Sequence, residues 1–300
     1  MLKHLSAIYE DKQILIDEPM KNHTTFKVGG NADFIVFPET KEQLVLTLQL
    51  AKKEQIFCIV LGNGSNVLVS DDGIRGIVIC TLNMKKIWVD KNVITASCGV
   101  SMASLSATAR ENGLSGLEFA SGIPGTVGGG IYMNAGAYGG ALSDCAQKTL
   151  CVTKDGKLIT FIGDEQKFGY RKSVFAEQDL IVLETEFLLQ EGKGQEISDL
   201  MNELNARRRD KQPLDKPSAG STFKRPEGYF AGKLIEDAGL KGFRVGGACV
   251  SEKHAGFVVN DKNGNANDII SVMKHCQDTV LEKFGVKLEP EIRLIGTFPK

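Results

Sequence analysis

Cysteine pairs of the Cys-x-x-Cys kind are absent, and no cysteine stands beside a histidine at metal-ligand spacing. The 300-residue chain nevertheless carries 7 cysteines: Cys58, Cys80, Cys98, Cys145, Cys151, Cys249 and Cys276. A zinc site of the usual spacings is therefore excluded, and no metal is expected. Several of these cysteines lie in apolar runs such as Ile56-Phe57-Cys58-Ile59-Val60, where a thiol behaves as a small hydrophobe. Reduced core cysteines and a cytoplasmic setting follow as expectations. Excess charge is missing too: 36 Lys and Arg face 37 Asp and Glu, a formal net charge of -1. That balance argues against a general binder of nucleic acid or anionic membrane, while leaving room for a local basic pocket. No stretch approaches the ~20 apolar residues of a membrane-spanning helix, and residues 1–10 hold no apolar segment of signal type. There is no fixed-period repeat and no low-complexity tract. At 42% hydrophobic and 24% charged, the composition excludes disorder and fibre.

What is there reads as a mixture of helix and strand, long enough for about two domains. Residues 33–37 form a strand that stops at Pro38. Thr40 with Gln43 makes a capping box for a helix whose buried face holds Leu44, Leu48 and Ala51. Strands at 56–61 and 76–80 complete a βαβ pattern. Two further strands, 86–89 and 93–98, precede a helix from a Ser101 cap to an Asn112-Gly113 stop. After a glycine-dense loop at 121–140 come β-rich runs at 148–153, 157–161 and 180–189, the first two joined by a turn at 153–157. From Gly194 the spacing of Ile197, Leu200, Met201 and Leu204 is helical. The charged run 207–211 leads to Pro213 and Pro217, which place the last domain boundary nearby. Beyond it a helix at 232–238, a strand at 256–260, a helix at 268–284 and a final strand at 287–295 are expected.

Two glycine loops stand out. Gly62-Asn63-Gly64-Ser65-Asn66 follows a strand and could converge backbone N–H groups on a phosphate. It lacks the third glycine of a dinucleotide fingerprint and the Lys-Ser/Thr end of a Walker A loop, and strand-like Val67-Leu68-Val69 follows it. A tight turn between strands is the plainer alternative. The second loop runs from Ser121 to Gly130 and on through Asn134-Ala135-Gly136-Ala137-Tyr138-Gly139-Gly140. So much glycine costs backbone entropy, which a ligand needing close backbone approach would offset. A flexible linker is the alternative, but Ile123, Pro124, Val127, Ile131 and Tyr132 are too apolar for one. Together the loops suggest an extended, phosphate-containing ligand.

These motifs occur in a recognisable order. Asn22-His23-Thr24-Thr25-Phe26-Lys27-Val28-Gly29-Gly30 with Ala32-Asp33 comes first, then both glycine loops and Phe168-Gly169-Tyr170-Arg171-Lys172-Ser173. Pro217-Ser218-Ala219-Gly220-Ser221-Thr222-Phe223-Lys224 and Leu288-Glu289-Pro290-Glu291-Ile292-Arg293 follow. In this order, over nearly the whole chain, they resemble the UDP-N-acetylenolpyruvoylglucosamine reductases. The direct passage from Arg171 to Leu180, with no inserted tyrosine-bearing loop, resembles the family's shorter second type. Lys27 departs from the arginine found in many members. It keeps the charge but loses bidentate geometry.

The resemblance implies an α+β fold. Its parts would be a vanillyl-alcohol-oxidase-type (PCMH-type) FAD-binding domain of two α/β subdomains, 1–85 and 86–205, and a C-terminal α+β substrate domain, 206–300. It implies FAD with its diphosphate near Gly62, Asn63, Gly64, Ser65 and Asn66 on one loop. Gly122, Ile123, Pro124, Gly125, Thr126, Gly128, Asn134 and Gly136 would contribute from the other, and Arg208 would touch a phosphate. The four histidines are scattered away from both loops, so the flavin is expected to be non-covalent. The implied reaction is NADPH-dependent reduction of the enolpyruvyl ether of UDP-N-acetylglucosamine to UDP-N-acetylmuramate, in peptidoglycan synthesis. No nucleic acid, membrane or obligate protein partner is expected.

Reducing the enolpyruvyl group places negative charge beside its carboxylate, and the protein must hold that charge and supply a proton. Arg171, with a planar fork and permanent charge, suits the carboxylate; a surface ion pair is its ordinary reading. Ser221 suits the proton, against the plainer role of a turn residue after Gly220. Lys224 and Arg225 could ease the resulting alkoxide. On simple alternation Glu289, Glu291 and Arg293 share one strand face, with Ile292 and Leu294 opposite. Glu291 could then stabilise the enolate with Arg171, or be an edge-strand surface residue. The resemblance assigns Tyr170 to substrate positioning and Lys211 to the substrate diphosphate. A solvated basic helix end is the alternative for Arg208 and Lys211.

Overall fold

The computed structural model describes residues 1–298. The chain forms two compact units, the first from Met1–Ile16, Phe34–Asn63 and Gly76–Arg208, the second from Asp17–Asp33, Gly64–Arg75 and Arg209–Lys300. The fold is the mixed α+β arrangement expected from the sequence. Its helices are α1 (Leu2–Leu5), α2 (Lys41–Lys53), α3 (Met102–Glu111), α4 (Val127–Tyr132), α5 (Val174–Glu177), α6 (Gly194–Lys211), α7 (Ala231–Asp237) and α8 (Ala266–Phe284).

Strands Ile14–Pro19, Asn31–Val36, Ile74–Cys80 and Cys58–Leu61 lie in that order in one sheet, the last two parallel. The two strands flanking α2 are thus not neighbours, because Ile74–Cys80 lies between them. Thr40 caps α2 by accepting the Gln43 N–H, and Leu44, Leu48 and Ala51 are buried as the periodicity requires. The reciprocal half of the capping box is missing. The Gln43 side chain instead accepts from the Glu39 N–H at 2.8 Å and donates to the Ile8 carbonyl at 3.1 Å. A second, antiparallel sheet runs Leu158–Ile162, Ala146–Val152, Ile181–Leu188, Val93–Ser97, Ile87–Asp90. One continuous core, which includes Ile79, Ile94, Leu105, Phe175 and Phe187, fills the first unit.

The loop expected at 121–140 contains a helix. Three consecutive glycines hide α4 from any propensity reading, yet packing explains two of them. A Cβ on Gly128 would stand 2.8 Å from the Cys98 Cβ, and one on Gly130 2.9 Å from the Leu142 Cδ1. Helix propensity is given up so that backbone can press against strand and loop.

In the second unit a three-stranded antiparallel sheet, Arg244–Val245, Ala248–Val250 and Val258–Asn260, carries α7 and α8. Its core joins Val258, Ile269, Val272, Cys276 and Leu288 to Phe26, Val28 and Leu68 from far earlier in the chain. The final strand is shorter than expected. Only Arg293–Ile295 is regular, paired in parallel with Val67–Val69, while Pro290 makes an isolated bridge to Phe223. Proline has no N–H to continue a ladder. The alternation fails with it: Ile292 and Ile295 are buried while Arg293 and Leu294 are both exposed.

The N-terminus of α8 is held twice. Asn265 and Asp268 form a capping box, and both carboxylate oxygens of Asp71 accept from helix N–H groups, Ala266 at 2.9 Å and Asn267 at 3.2 Å. Negative charge there also meets the positive end of the helix dipole. Asp71→Ala should therefore lower unfolding free energy by about 1–2 kcal/mol, with Asp71→Asn recovering part of it. An unchanged urea midpoint for Asp71→Ala would contradict this account.

Candidate active site

Within the first unit the two glycine loops meet directly. A Cβ on Gly62 would fall 2.2 Å from the Thr126 Oγ1, and the Asn63 Nδ2 donates to the Pro124 carbonyl at 2.7 Å. Thr126 in turn caps α4, accepting the Gly129 N–H. Several loop N–H groups are already engaged by protein: Ile123 to the Ala120 carbonyl at 3.0 Å, Val127 to Val100 at 2.8 Å and Gly128 to Cys98 at 2.8 Å. These three shape the loop through their bonds; they are not spare donors.

Behind the loop lies Arg208 on α6, 9% exposed. Its Nη1 donates to the Gly122 carbonyl at 2.7 Å, and its Nε–H has no hydrogen-bond partner. Burial is the largest influence on this guanidinium and pulls its pKa down, and the opposing contribution comes from Tyr138 rather than from any carboxylate. The guanidinium carbons of Arg207 and Arg208 lie over the Tyr138 ring, 5.2 Å and 5.9 Å from its centre. Gly122 itself is crowded, since a Cβ would meet the Asn205 Oδ1 at 2.5 Å and the Arg208 Cδ at 3.0 Å. A buried cation with an idle donor and no counter-charge is the donor chemistry that an anionic diphosphate fits.

Arg171, also in the first unit, sits in a tight turn closed by Gly169 N–H to Lys172 carbonyl at 3.0 Å and the reverse bond at 3.2 Å. Its φ is 54°. The guanidinium reaches the Gly136 carbonyl through both terminal nitrogens at 3.4 Å and lies 5.5 Å from the Tyr170 ring. Tyr170 is well exposed.

The second unit holds Gly64, Ser65 and Asn66, and with them Ser221 and Glu291. Gly64, at φ 59°, leaves no room for a side chain, because a Cβ would stand 2.2 Å from the His23 carbonyl oxygen. Thr25 donates its N–H to the Gly64 carbonyl at 3.2 Å and its hydroxyl to the Ser218 carbonyl at 2.6 Å. Asn66 is the junction. Its Nδ2 donates to the Glu291 carbonyl at 3.2 Å, and its own carbonyl accepts the Arg293 N–H at 3.0 Å. Glu291 N–H bonds the Thr222 carbonyl at 2.9 Å, and Lys224 N–H bonds the Glu289 carbonyl at 2.8 Å. Ser221 and Glu291 therefore lie on adjoining segments, Ser221 exposed and Glu291 half-buried. Lys224 pairs with Glu289 at 3.2 Å, and Lys211 is exposed beside Asp210.

Sequence reasoning passed over three residues that build this framework. Thr222 is fully buried; its hydroxyl accepts the Val258 N–H at 2.9 Å and its N–H bonds the Gly256 carbonyl at 2.9 Å. Asn205 ties α6 to Ser121 at 3.1 Å. His254 accepts the Gly256 N–H on Nδ1 at 3.0 Å, so its proton resides on Nε2. The position of Thr222 directly after the proposed donor was the available signal for the first; the other two carried none.

Comparison with known proteins agrees with this geometry. The family described as "FAD binding domain" matches residues 32–162, and "UDP-N-acetylenolpyruvoylglucosamine reductase, C-terminal domain" matches residues 212–295. The UDP-N-acetylenolpyruvoylglucosamine reductase of Staphylococcus carnosus is 48% identical over 300 residues, covering 100% of this chain and 97% of that protein. That of Caldanaerobacter subterraneus is 45% identical over 296 residues, covering 99% and 98%. The crystal structure of UDP-N-acetylenolpyruvylglucosamine reductase from Thermus caldophilus superposes with a TM-score of 0.80 at 34% identity, over 94% of this chain and 98% of that one.

Burial holds the His254 pKa below its ordinary 6.5. Between that lowered value and 6.5 the unfolded chain takes up a proton that the folded one does not, so stability falls as pH drops through this window. His254→Gln keeps an acceptor for Gly256 and does not titrate. Urea midpoints of the two proteins should diverge from pH 7 to pH 5, with wild type losing more. Parallel midpoints would contradict a neutral His254.

Proposed function

The chain belongs to the UDP-N-acetylenolpyruvoylglucosamine reductases, and we propose how its residues divide the reaction for which that family is named. It is an FAD-containing oxidoreductase of peptidoglycan synthesis. The reaction is reduction of UDP-N-acetyl-3-O-(1-carboxyvinyl)-glucosamine to UDP-N-acetylmuramate at the expense of NADPH. FAD, when bound, supplies the hydride chemistry that links donor to acceptor.

Arg208 would hold a phosphate of FAD with its idle Nε–H, converting a costly buried charge into a paired one. The loops Gly62–Asn63 and Gly122–Thr126, pressed together by contacts that exclude a side chain at Gly62, give backbone close approach on one side. Gly64, Ser65 and Asn66 give it on the other half of the first loop. Arg171 grips the enolpyruvyl carboxylate. Ser221 gives the proton to the carbon beside it, and Glu291 holds the charge that has developed there. Tyr170, Lys224 and Lys211 bind the rest of the substrate, Lys211 at its diphosphate. The observation that carries this reading is the Asn66–Glu291–Thr222 set of bonds. It joins the end of a cofactor loop, the carboxylate segment and the proton-donor segment by main-chain and amide contacts.

Residues 1–85 and 86–205 are read as the two FAD-binding subdomains and 206–300 as the substrate-binding domain. The matched spans of the FAD and C-terminal families, lying to either side of α6, support the boundary near residue 206. The segments Asp17–Asp33 and Gly64–Arg75 cluster with the C-terminal residues, so the substrate domain shares a core with them. A cytoplasmic setting without obligate protein partners is part of the same proposal, supported by seven unpaired cysteines and the balanced charge. Among the described residues no helix is long and apolar enough to cross a membrane.

The purified protein should show a flavin spectrum that bleaches with NADPH and regains colour anaerobically on addition of the enolpyruvyl nucleotide sugar. Colour regained with oxygen alone would assign a different acceptor. In Ser221→Ala, NADPH should still bleach the flavin while product formation drops about 10²- to 10⁴-fold. Product at the wild-type rate would remove Ser221 as donor. Arg208→Met should weaken FAD binding about ten- to a hundredfold, the loss of a charged hydrogen bond. Unchanged FAD affinity would contradict the phosphate role.

A further inference from the structure

Asn134 stands at the end of α4 with φ 42°, a left-handed conformation that asparagine tolerates better than most residues. It is 6% exposed, and its carboxamide is spent within the protein. The Oδ1 accepts the Ser143 N–H at 3.0 Å, while the Nδ2 donates to the Gly169 carbonyl at 3.0 Å and reaches the Ser143 hydroxyl at 3.3 Å. Both amide protons and one acceptor site are thereby committed, leaving little for an outside ligand.

The Gly169 carbonyl opens the turn that presents Arg171. Four residues on, the Ser173 hydroxyl donates to the Tyr132 carbonyl at 2.7 Å and also caps α5 through the Ala176 N–H. The last turn of α4 thus grips the Arg171 turn at both ends, by Asn134 on one side and the Tyr132 carbonyl on the other. Such a grip has a purpose. Arg171 at φ 54° holds a left-handed backbone that is strained for a residue with a side chain, and such strain persists only where surrounding contacts over-determine it.

We infer that Asn134 is a positioning residue for Arg171, fixing the backbone from which the guanidinium meets the substrate carboxylate, rather than a ligand of FAD. The inference rests on the proposed role of Arg171. It makes the asparagine of the glycine loop part of substrate reduction and leaves flavin loading to its neighbours.

The test is Asn134→Asp, which keeps the shape and the acceptor but loses both amide donors and sets a carboxylate oxygen against the Gly169 carbonyl. Asn134→Gly, which suits φ 42° and removes all three bonds, guards against a variant that fails to fold. Flavin content and the rate of flavin bleaching by NADPH should stay within about twofold of wild type. Reoxidation by the enolpyruvyl nucleotide sugar should slow about ten- to a hundredfold, as expected for a misplaced contact group. In an Arg171→Ala background, adding Asn134→Asp should cost little more. Loss of flavin with normal reoxidation would make Asn134 a cofactor ligand and overturn the inference. So would a full additional loss in the Arg171→Ala background. If Arg171→Ala alone leaves reoxidation unchanged, the reading of Arg171 falls first and takes the inference with it.

Discussion

Closer approach of two loops than any side chain permits is the constraint from which the first unit is organised. With the Thr126 Oγ1 occupying the space where a Gly62 Cβ would be, the loop after the parallel strand and the loop before α4 are locked together. The same threonine caps α4, so the helix starts where the loops touch. Gly128 and Gly130 then let its backbone settle against Cys98 and Leu142. Its far end fixes the Arg171 turn. A six-residue helix of poor intrinsic propensity therefore links the candidate phosphate loop to the candidate carboxylate-binding arginine, and tertiary contact supplies the stability that its glycines withhold.

The second unit achieves a comparable economy with main chain. Thr222 is surrounded: its N–H, hydroxyl and carbonyl are each bonded, to Gly256, Val258 and Glu291. A residue so fully committed leaves its neighbour Ser221 on a rigid base while the serine hydroxyl itself stays exposed. Asn66 does the same for Glu291. Residues that touch substrate in this reading are thus held by adjacent residues that do not, as preorganised catalysis demands.

Much of this was legible in advance, for identifiable reasons. The helices capped by Thr40 and Ser101, the 153–157 turn and the long α8 obey local rules of capping, turn chemistry and period, and those rules act over a few residues. The motif order identified the family and named Arg171, Ser221 and Glu291. What escaped depended on distant partners. Helix α4 is invisible because its glycines answer to Cys98 and Leu142 rather than to each other. The break in the last strand follows from Pro290, which bridges Phe223, ends simple alternation and leaves Leu294 exposed. Gln43 looked like half of a capping box, but the Glu39 and Ile8 backbone offered it better partners. The supporting roles of Asn134 and His254 depend on hydrogen-bond bookkeeping, which no single sequence contains.

The interleaving of the second unit bears on the order in which the protein can be made. Phe26, Val28 and Leu68 belong to a core whose other members lie after residue 218, and Val67–Val69 pairs with Arg293–Ile295. As the chain emerges from the ribosome, these early apolar segments have no finished core to enter until residues 219–295 have been added. The first unit can assemble ahead of it from residues up to Arg208, most of whose contacts lie within that span. Synthesis therefore imposes a sequence on folding, with a waiting period during which Phe26, Val28 and Leu68 lack their core partners. That interval, rather than the stability of the finished protein, is where chaperones would be most needed.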